Sequence, residues 1–191
     1  MLRGSIRDRV SEPTIELPDC PPRTAEFVRR ALDAVRASVG VSLEFDSDTL
    51  PLLDHYIKQV PRKEADAAAL IAAMTGSYFG EAVRQSLGGQ WKVEDDDPAS
   101  WRIVLPGGLS FSPVRLALAA ILLDEDGEGN GDFQAPPKLM EALTEAMGRL
   151  GSVGRNDYFT LSCRFDTLEH LQEVMLAFAD KLRKERDLEA N

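Results

Sequence analysis

The chain has 191 residues, with 32 acidic and 22 basic side chains and a formal net charge of −10. Hydrophobic residues make up 43% of it and charged residues 28%, which is typical of globular proteins and excludes a fibrous or wholly disordered chain. Nucleic acids and anionic membranes require a positive surface, so the acidic balance disfavours both as partners.

The charge is distributed unevenly along the chain. Residues 1–60 carry −2, residues 61–120 carry −1 and residues 121–191 carry −7. Within the last block, residues 124–132 contain no base and five acids: Asp124, Glu125, Asp126, Glu128 and Asp132. Half of the net charge therefore lies in one glycine-rich segment, residues 124–132, which we name the acidic loop.

Residues 1–19 are predicted to form a loosely held N-terminal arm. They are polar and lack the apolar stretch of about 7–15 residues that a secretory signal requires. The longest apolar run, residues 114–123, is about half the length needed to cross a bilayer. Cys20 and Cys163 do not make a disulfide framework, so we expect a cytoplasmic protein with free thiols and no membrane segment.

Three helices are predicted before residue 90. The first begins at Pro21-Pro22, because prolines are tolerated in a first turn whose N–H groups lack partners, and it ends at Gly40. Residues 41–45 alternate between apolar and polar side chains and predict a strand. The second helix follows a cap within residues 47–49 and stops at Pro61, and the third runs from about residue 63 to residue 87.

The third helix contains a ridge of small residues. Ala72, Gly76 and Gly80 recur every four residues and therefore share one face. A glycine inside a helix costs about 1 kcal/mol relative to alanine. We therefore expect a neighbouring element to pack closely against the helix backbone along this ridge.

Residues 90–111 predict an antiparallel meander. Three short segments of strand-like pattern are separated by tight turns, and they cover residues 90–94, 101–105 and 109–111. Because the strands cluster instead of alternating with helices, they disfavour a doubly wound parallel sheet. The predicted fold is α+β, a single compact domain over residues 20–191 in which five or six helices pack with the meander.

The remaining elements follow the meander. Ser112-Pro113 begins a helix that should be buried on most faces, and Pro136-Pro137 begins another after the acidic loop. Residues 159–165 alternate and predict a further strand. Asp166 and Glu169 predict a capping box for the last helix.

The acidic loop resembles part of a calcium-binding loop. Counted from Asp126, oxygen donors occupy positions 1, 3 and 5, and Gly131 stands at position 6. Position 12, which should be a bidentate glutamate, is Pro137. We therefore predict no metal and no cofactor, and we interpret the acidic loop either as a solvated, flexible loop or as a contact surface for a basic protein.

No motif of nucleophilic or metal-dependent catalysis occurs in the sequence. Cys163 shares the alternation of residues 159–165, which predicts a core side chain and not a nucleophile. The two histidines, His55 and His170, lie too far apart in the sequence for a zinc signature. These observations favour a non-enzymatic protein.

The densest local cluster of polar and aromatic residues contains Tyr78, Glu81 and Trp91. If Glu81 points inward beside the aromatic rings, its pKa should be raised, and it could serve as an acid, a base or a ligand anchor. The alternative is a structural carboxylate that accepts a hydrogen bond from an indole or a backbone amide. The sequence leaves both interpretations open.

Four short motifs within residues 41–120 resemble a pattern found in uncharacterised bacterial domain families. They are Leu53-Asp54-His55-Tyr56, Gly76-x-Tyr78-x-Gly80-Glu81, Gly88-Gly89-x-Trp91 and Phe111-Ser112-Pro113. Some of these families look like immunity or accessory proteins of bacterial competition systems. The resemblance implies a binding role and supplies no catalytic residues.

We therefore predict a cytoplasmic protein-binding domain that contacts a protein partner through the acidic loop. One alternative is a small-ligand or enzymatic pocket around Tyr78, Glu81 and Trp91. The other is a structural subunit of a larger bacterial assembly.

Overall fold

A computed structural model describes residues 15–123, 132–151 and 153–189. These ranges contain seven α-helices, where five or six were predicted: α1 (Pro22–Val39), α2 (Leu50–Lys58), α3 (Ala65–Leu87), α4 (Pro113–Leu122), α5 (Met140–Arg149), α6 (Arg155–Tyr158) and α7 (Leu161–Glu189). Three short strands form one sheet: β1 (Gln90–Lys92), β2 (Arg102–Val104) and β3 (Ser110–Phe111). The predicted α+β class is confirmed, with helix predominating.

Helix α3 passes through the centre of the core. Every residue from Ala72 to Val83 is buried, including polar side chains such as Glu81. Helices α1 and α4 make its most extensive contacts among the described helices. The middle of α3 therefore has no solvent-facing stripe, which fits its many small residues, whereas Leu70 and Gln85, nearer its ends, are exposed.

The ridge of small residues on α3 is a close-packing seam, as predicted. A Cβ atom added at Gly76 would lie 2.5 Å from the Cα of Val114, at the start of α4. At Gly80 it would lie 2.5 Å from Cη2 of Trp91 and 2.8 Å from Cγ of Pro113. The first turn of α4 and the indole of Trp91 therefore rest directly on the backbone of α3.

The sheet is the predicted antiparallel meander, with shorter strands. Trp91 pairs with Ile103, and Ile103 pairs with Phe111, so the three residues lie side by side across the sheet. Ile103 and Phe111 are buried, and Trp91 is half-buried at the edge. The turn between β2 and β3 contains two glycines with positive φ, at 89° and 88°, which is the backbone region that glycine adopts most readily.

The strand predicted at residues 41–45 is wrong, because this segment is irregular. The hydroxyl groups of Tyr78 and Thr49 both donate to the backbone carbonyl of Glu44. The carboxylate of Asp46 accepts a hydrogen bond from the backbone N–H of Thr49 at 3.0 Å. Side chains therefore form hydrogen bonds with backbone groups that would otherwise pair with a neighbouring strand.

The strand predicted at residues 159–165 is also wrong, because α7 begins at Leu161. The carboxylate of Asp54 accepts hydrogen bonds from the backbone N–H groups of Leu161 and Ser162, at 2.6 and 3.1 Å. A side chain from α2 thus satisfies N–H groups that have no partner within α7. The predicted capping box is wrong for the same reason, since Asp166 and Glu169 both lie inside α7.

Other sequence predictions fall on residues with less structure. The N-terminal arm lies mostly outside the described residues, and residues 15–17 form neither helix nor strand. Cys163, predicted as a core strand residue, is half-buried in the first turn of α7. In the described ranges, none of the helices combines the length and apolarity needed to cross a lipid bilayer.

Candidate functional site

Glu81 is the buried centre of a hydrogen-bond network between α3 and β1. Its side chain is 0% exposed. Oε1 accepts hydrogen bonds from Nη2 of Arg84 at 2.7 Å and from Nε2 of Gln85 at 2.8 Å. Oε2 accepts from Nε of Arg84 at 3.0 Å and from Nε1 of Trp91 at 2.9 Å. Arg84 thus binds the carboxylate in the two-pronged geometry that makes arginine–carboxylate pairs strong.

The local sequence explains how these side chains meet. Arg84 and Gln85 lie one turn beyond Glu81 on α3, where residues three and four apart are neighbours. Gly88, with a φ of 68°, ends α3 and turns the chain into β1. This reversal carries Trp91 back over Gly80, which has no side chain to block the indole.

The electrostatics of Glu81 contradict the raised pKa expected from its sequence context. Burial acts to raise the pKa, but hydrogen bonds from Arg84, Gln85 and Trp91, together with the charge of Arg84, outweigh it. The pKa of Glu81 lies below its ordinary value of 4.5. At neutral pH the side chain is therefore an ionised carboxylate whose two oxygens are occupied, which suits it to hold Arg84 and Trp91 in place and not to transfer protons.

Cys20 lies beside the same network. Burial, followed by the negative charge of Glu81, raises the pKa of the Cys20 thiol to about 12. Burial likewise raises the pKa of Cys163. Because the thiolate is the nucleophilic form of cysteine, neither side chain is activated for nucleophilic catalysis.

Tyr78 does not join Glu81 and Trp91. Its hydroxyl group donates to the carbonyl of Glu44, and its ring stacks on Phe45 with 5.2 Å between the ring centroids. Burial raises the pKa of Tyr78 to about 12. Of the three residues that the sequence grouped as a possible pocket, the structure brings two together and places the third against the 41–45 segment.

A cleft of about 500 Å³, about half open to solvent, adjoins the Glu81 network. We name it the Arg84 pocket; the described residues that line it are Asp19, Arg84, Gly89, Gln90 and Trp91. Of the three predicted pocket residues, Trp91 lines the pocket. Glu81 does not line it, but it accepts hydrogen bonds from two lining residues, Arg84 and Trp91. Sequence reasoning missed Arg84, although its spacing of three from Glu81 on a helix indicates an ion pair. It also missed Asp19, which no local pattern connects to α3.

Asp132, at the C-terminal end of the acidic loop, is anchored to the sheet. Nη1 of Arg102 lies 2.6 Å from Oδ2 of Asp132, and Nη2 of Arg102 donates to the Asp132 carbonyl. Partial burial acts to raise the pKa of Asp132, and the bonds from Arg102 and Gln134 outweigh it and lower the pKa. The other predicted contact residues, Asp124, Glu125, Asp126 and Glu128, lie outside the described residues.

Exposed apolar side chains lie near the point where the acidic loop leaves α4. Nη2 of Arg155 donates to the carbonyl of Leu123 at 3.0 Å, which holds the segment before α6 beside the end of α4. Leu122, next to Leu123 in the chain, is 39% exposed, and Val153, two residues before Arg155, is 50% exposed. Leu150 is exposed as well. We name Leu122, Leu150 and Val153, which flank the two bonded residues in the sequence, the flanking apolar surface.

Neither a metal-binding cluster among the described residues nor a similar known protein identifies the function of the site. In the described ranges, no three His, Cys, Asp or Glu side chains gather closely enough to hold a metal ion. Comparison with protein-family models, with curated proteins and with solved structures finds no match. The resemblance to bacterial domain families stays a prediction, and function is inferred from the residues above.

Proposed function

We propose that the chain is a cytoplasmic, non-enzymatic protein-binding domain, adaptor-like or immunity-like, that contacts a basic protein partner. The observation that carries this proposal is the concentration of five acids without a base in the acidic loop. Arg102 neutralises one of them, Asp132, and thereby ties the end of the loop to β2. The other four acids lie within residues 124–128, and this segment contains no basic residue that would offset their charge. Complementary charge of this kind steers association with a partner of opposite sign.

The flanking apolar surface supports the same proposal. Protein interfaces commonly combine an apolar centre with a polar rim. Leu122 is exposed two residues before the acidic loop, and the bond from Arg155 to Leu123 links the end of α4 to the segment that follows exposed Leu150 and Val153. Both cysteines are free thiols, which fits a reducing compartment.

The test is affinity capture from native lysate, followed by kinetic measurement of binding to the captured partner at low and high salt. The variant neutralises four acids of the loop: Asp124→Asn, Glu125→Gln, Asp126→Asn and Glu128→Gln. We expect the association rate to fall about tenfold or more at low salt, and to lose most of its dependence on salt, because the long-range attraction is removed.

A matched control separates the loop from net charge. It neutralises two aspartates and two glutamates that are exposed elsewhere on the surface: Asp33→Asn, Asp48→Asn, Glu64→Gln and Glu169→Gln. Both variants change the net charge equally, so only the loop variant should lose the fast association. A partner that binds both variants and the unaltered chain alike, at any salt concentration, would contradict the proposal.

The second candidate function is the binding of a small ligand in the Arg84 pocket, and the cavity itself is the observation that favours it. Its volume falls within the range of about 300–1,000 Å³ found for small-molecule sites. The proposal is narrower than the sequence suggested, because Glu81 has no oxygen available for catalysis and Tyr78 lies elsewhere. It is a binding site in which Glu81 has a positioning role.

A further inference from the structure

We propose that the Arg84 pocket binds a zwitterionic α-amino acid with an apolar side chain, whose carboxylate meets Arg84 and whose ammonium group meets Asp19. This inference rests on the second candidate function above and adds the chemical class of the ligand. It follows from the donors that Arg84 has left, from the charge around it and from the carbon surface of Trp91.

Arg84 retains hydrogen-bond donors at the pocket wall. A guanidinium group has five N–H donors. Nε and Nη2 of Arg84 are used by Glu81, and Nη2 also donates to the carbonyl of Pro18 at 3.1 Å. Nη1 has no hydrogen-bond partner in the part of the chain that the structure describes. The side chain is 13% exposed and held on two sides, so a ligand acceptor would meet donors in a fixed orientation.

Asp19 supplies the opposite charge. Asp19 lines the same cleft and is exposed to solvent. Arg84 donates a hydrogen bond to the carbonyl of Pro18, which is the residue before Asp19, so the guanidinium group lies near the backbone of this segment. The negative charge of Asp19 acts on Arg84 without forming an ion pair within 4.0 Å in the described structure. A ligand with both a cationic and an anionic group could therefore fit between them.

The summed charge of the described residues at the pocket selects against simple anions. Glu81 already neutralises Arg84, and Asp19 adds one further negative charge. A phosphate or dicarboxylate would bring a second uncompensated negative charge, whereas a zwitterion satisfies Arg84 and Asp19 together. An amino acid is the smallest common ligand with this arrangement.

Trp91 favours an apolar side chain on that ligand. Its only polar atom, Nε1, donates to Glu81, so the half-buried indole presents carbon atoms to the cavity. An aromatic or aliphatic side chain packed on this surface would be removed from water, which is favourable. The amide of Gln90 adds one donor group and one acceptor in the same lining.

The test is isothermal titration calorimetry of the full chain with three probes of similar size. L-Phenylalanine carries both charges, 3-phenylpropanoate lacks the ammonium group and 2-phenylethylamine lacks the carboxylate. We expect L-phenylalanine to bind at least about tenfold more tightly than either of the others, since a hydrogen bond to a charged group contributes about that much. L-Leucine, titrated in parallel, should also bind.

Asp19→Asn is the informative variant, because Asp19 is exposed and lies outside the helices. It should weaken L-phenylalanine about tenfold, and it should not weaken 3-phenylpropanoate, because the change removes a negative charge that repels this anion. Asp48→Asn, an exposed residue near the start of α2, is the matched control and should change neither.

Two results would overturn the proposal in different ways. If 3-phenylpropanoate binds as tightly as L-phenylalanine, or if Asp19→Asn has no effect, the pocket binds ligands but the zwitterion class is wrong. If neither amino acid nor either analogue produces heat at millimolar concentration, the small-ligand function of the pocket fails as well. Neither result bears on the protein-binding role of the acidic loop.

Discussion

Glu81 and Asp54 are buried carboxylates whose surroundings move their pKa values in opposite directions. The oxygens of Glu81 receive four hydrogen bonds, two of them from the guanidinium of Arg84, and its pKa is lowered despite burial. Asp54 has no arginine among its hydrogen-bond partners, which are Leu161 and Ser162, and burial raises its pKa. A charged donor therefore decides which effect prevails.

The lowered pKa of Glu81 predicts an acid-dependent contribution to stability. The folded state favours the ionised form, so the contribution is fully present above the ordinary value of 4.5 and is lost as the pH falls through the lower, folded pKa. Glu81→Gln should reduce the free energy of unfolding by about 1.5–3 kcal/mol at neutral pH. The difference from the unaltered chain should shrink as the pH drops, in urea titrations between about pH 3 and pH 7.

The control for this prediction is Glu169→Gln, at an exposed position on α7. Its difference from the unaltered chain should be small, because the side chain is exposed. Asp54 acts in the opposite sense, because a raised pKa favours the protonated form, so its ionisation costs stability as the pH rises above 3.8. Comparing each variant with the unaltered chain at the same pH removes the contribution of Asp54. A difference for Glu81→Gln that stays constant with pH would contradict the assignment.

Among the secondary-structure elements, α3 positions its neighbours through two glycines that have no side chain. Gly76 and Gly80 allow the backbone of α4 and the indole of Trp91 to approach within a distance that a methyl group would prevent. The seam orders α4 and β1 along α3, and through Trp91 it also sets one wall of the Arg84 pocket. The helix-propensity cost of glycine is thus offset by packing.

Gly76→Ala should therefore destabilise the protein, although alanine is the better helix former. The added Cβ would lie 2.5 Å from backbone atoms of Val114, which cannot move without shifting α4. We expect a loss of about 1–3 kcal/mol in urea unfolding. Gly148→Ala is the matched control: Gly148 is on α5 with no heavy atom within 4 Å of the added Cβ, and the change should stabilise by about 0.4–1 kcal/mol. Equal effects at the two positions would contradict the seam.

At the scale of the whole molecule, α7 is held to the rest of the fold by contacts far apart in sequence. Asp54 caps its first turn, and Nε2 of Gln172 donates to the carbonyl of Leu87 at 2.8 Å, where α3 ends. Buried side chains lie between and around these two contacts on α7: Phe165, Leu168, Leu171 and Met175. Beyond Met175 most described residues of the helix are exposed.

Asp54→Ala should loosen the start of α7, because it leaves two backbone N–H groups without their acceptor. We expect a loss of about 1–3 kcal/mol and faster hydrogen exchange at the amides of Leu161 and Ser162. Asp54→Asn keeps one side-chain oxygen and should lose less. Unchanged exchange at both amides in the alanine variant would show that the cap is not needed.

Elements whose causes are local could be predicted from the amino-acid sequence. Pro22 and Gly40 bound α1, and the glycine takes the left-handed conformation expected of a helix end, with φ at 78°. Ser112 caps α4 by accepting a hydrogen bond from the N–H of Arg115 at 3.3 Å. The spacing of Gly76 and Gly80 predicted a close approach, although it did not identify α4 as the neighbour. Each of these features depends on dihedral preferences or hydrogen bonds within a few residues.

Features that depend on partners remote in the sequence required the folded structure to be identified. An alternating pattern of apolar residues indicates which side chains are buried. It does not indicate which side chain will form hydrogen bonds with the backbone of that segment. The Glu44 carbonyl is bound by Tyr78, 34 residues away, and the start of α7 by Asp54, 107 residues from Leu161. Likewise Glu81 has a lowered pKa because Trp91 and Arg84 converge on it, and the Arg84 pocket exists because Asp19 is brought to the end of α3. Hydrogen bonding and charge act over a few ångströms of space, whatever the separation along the chain.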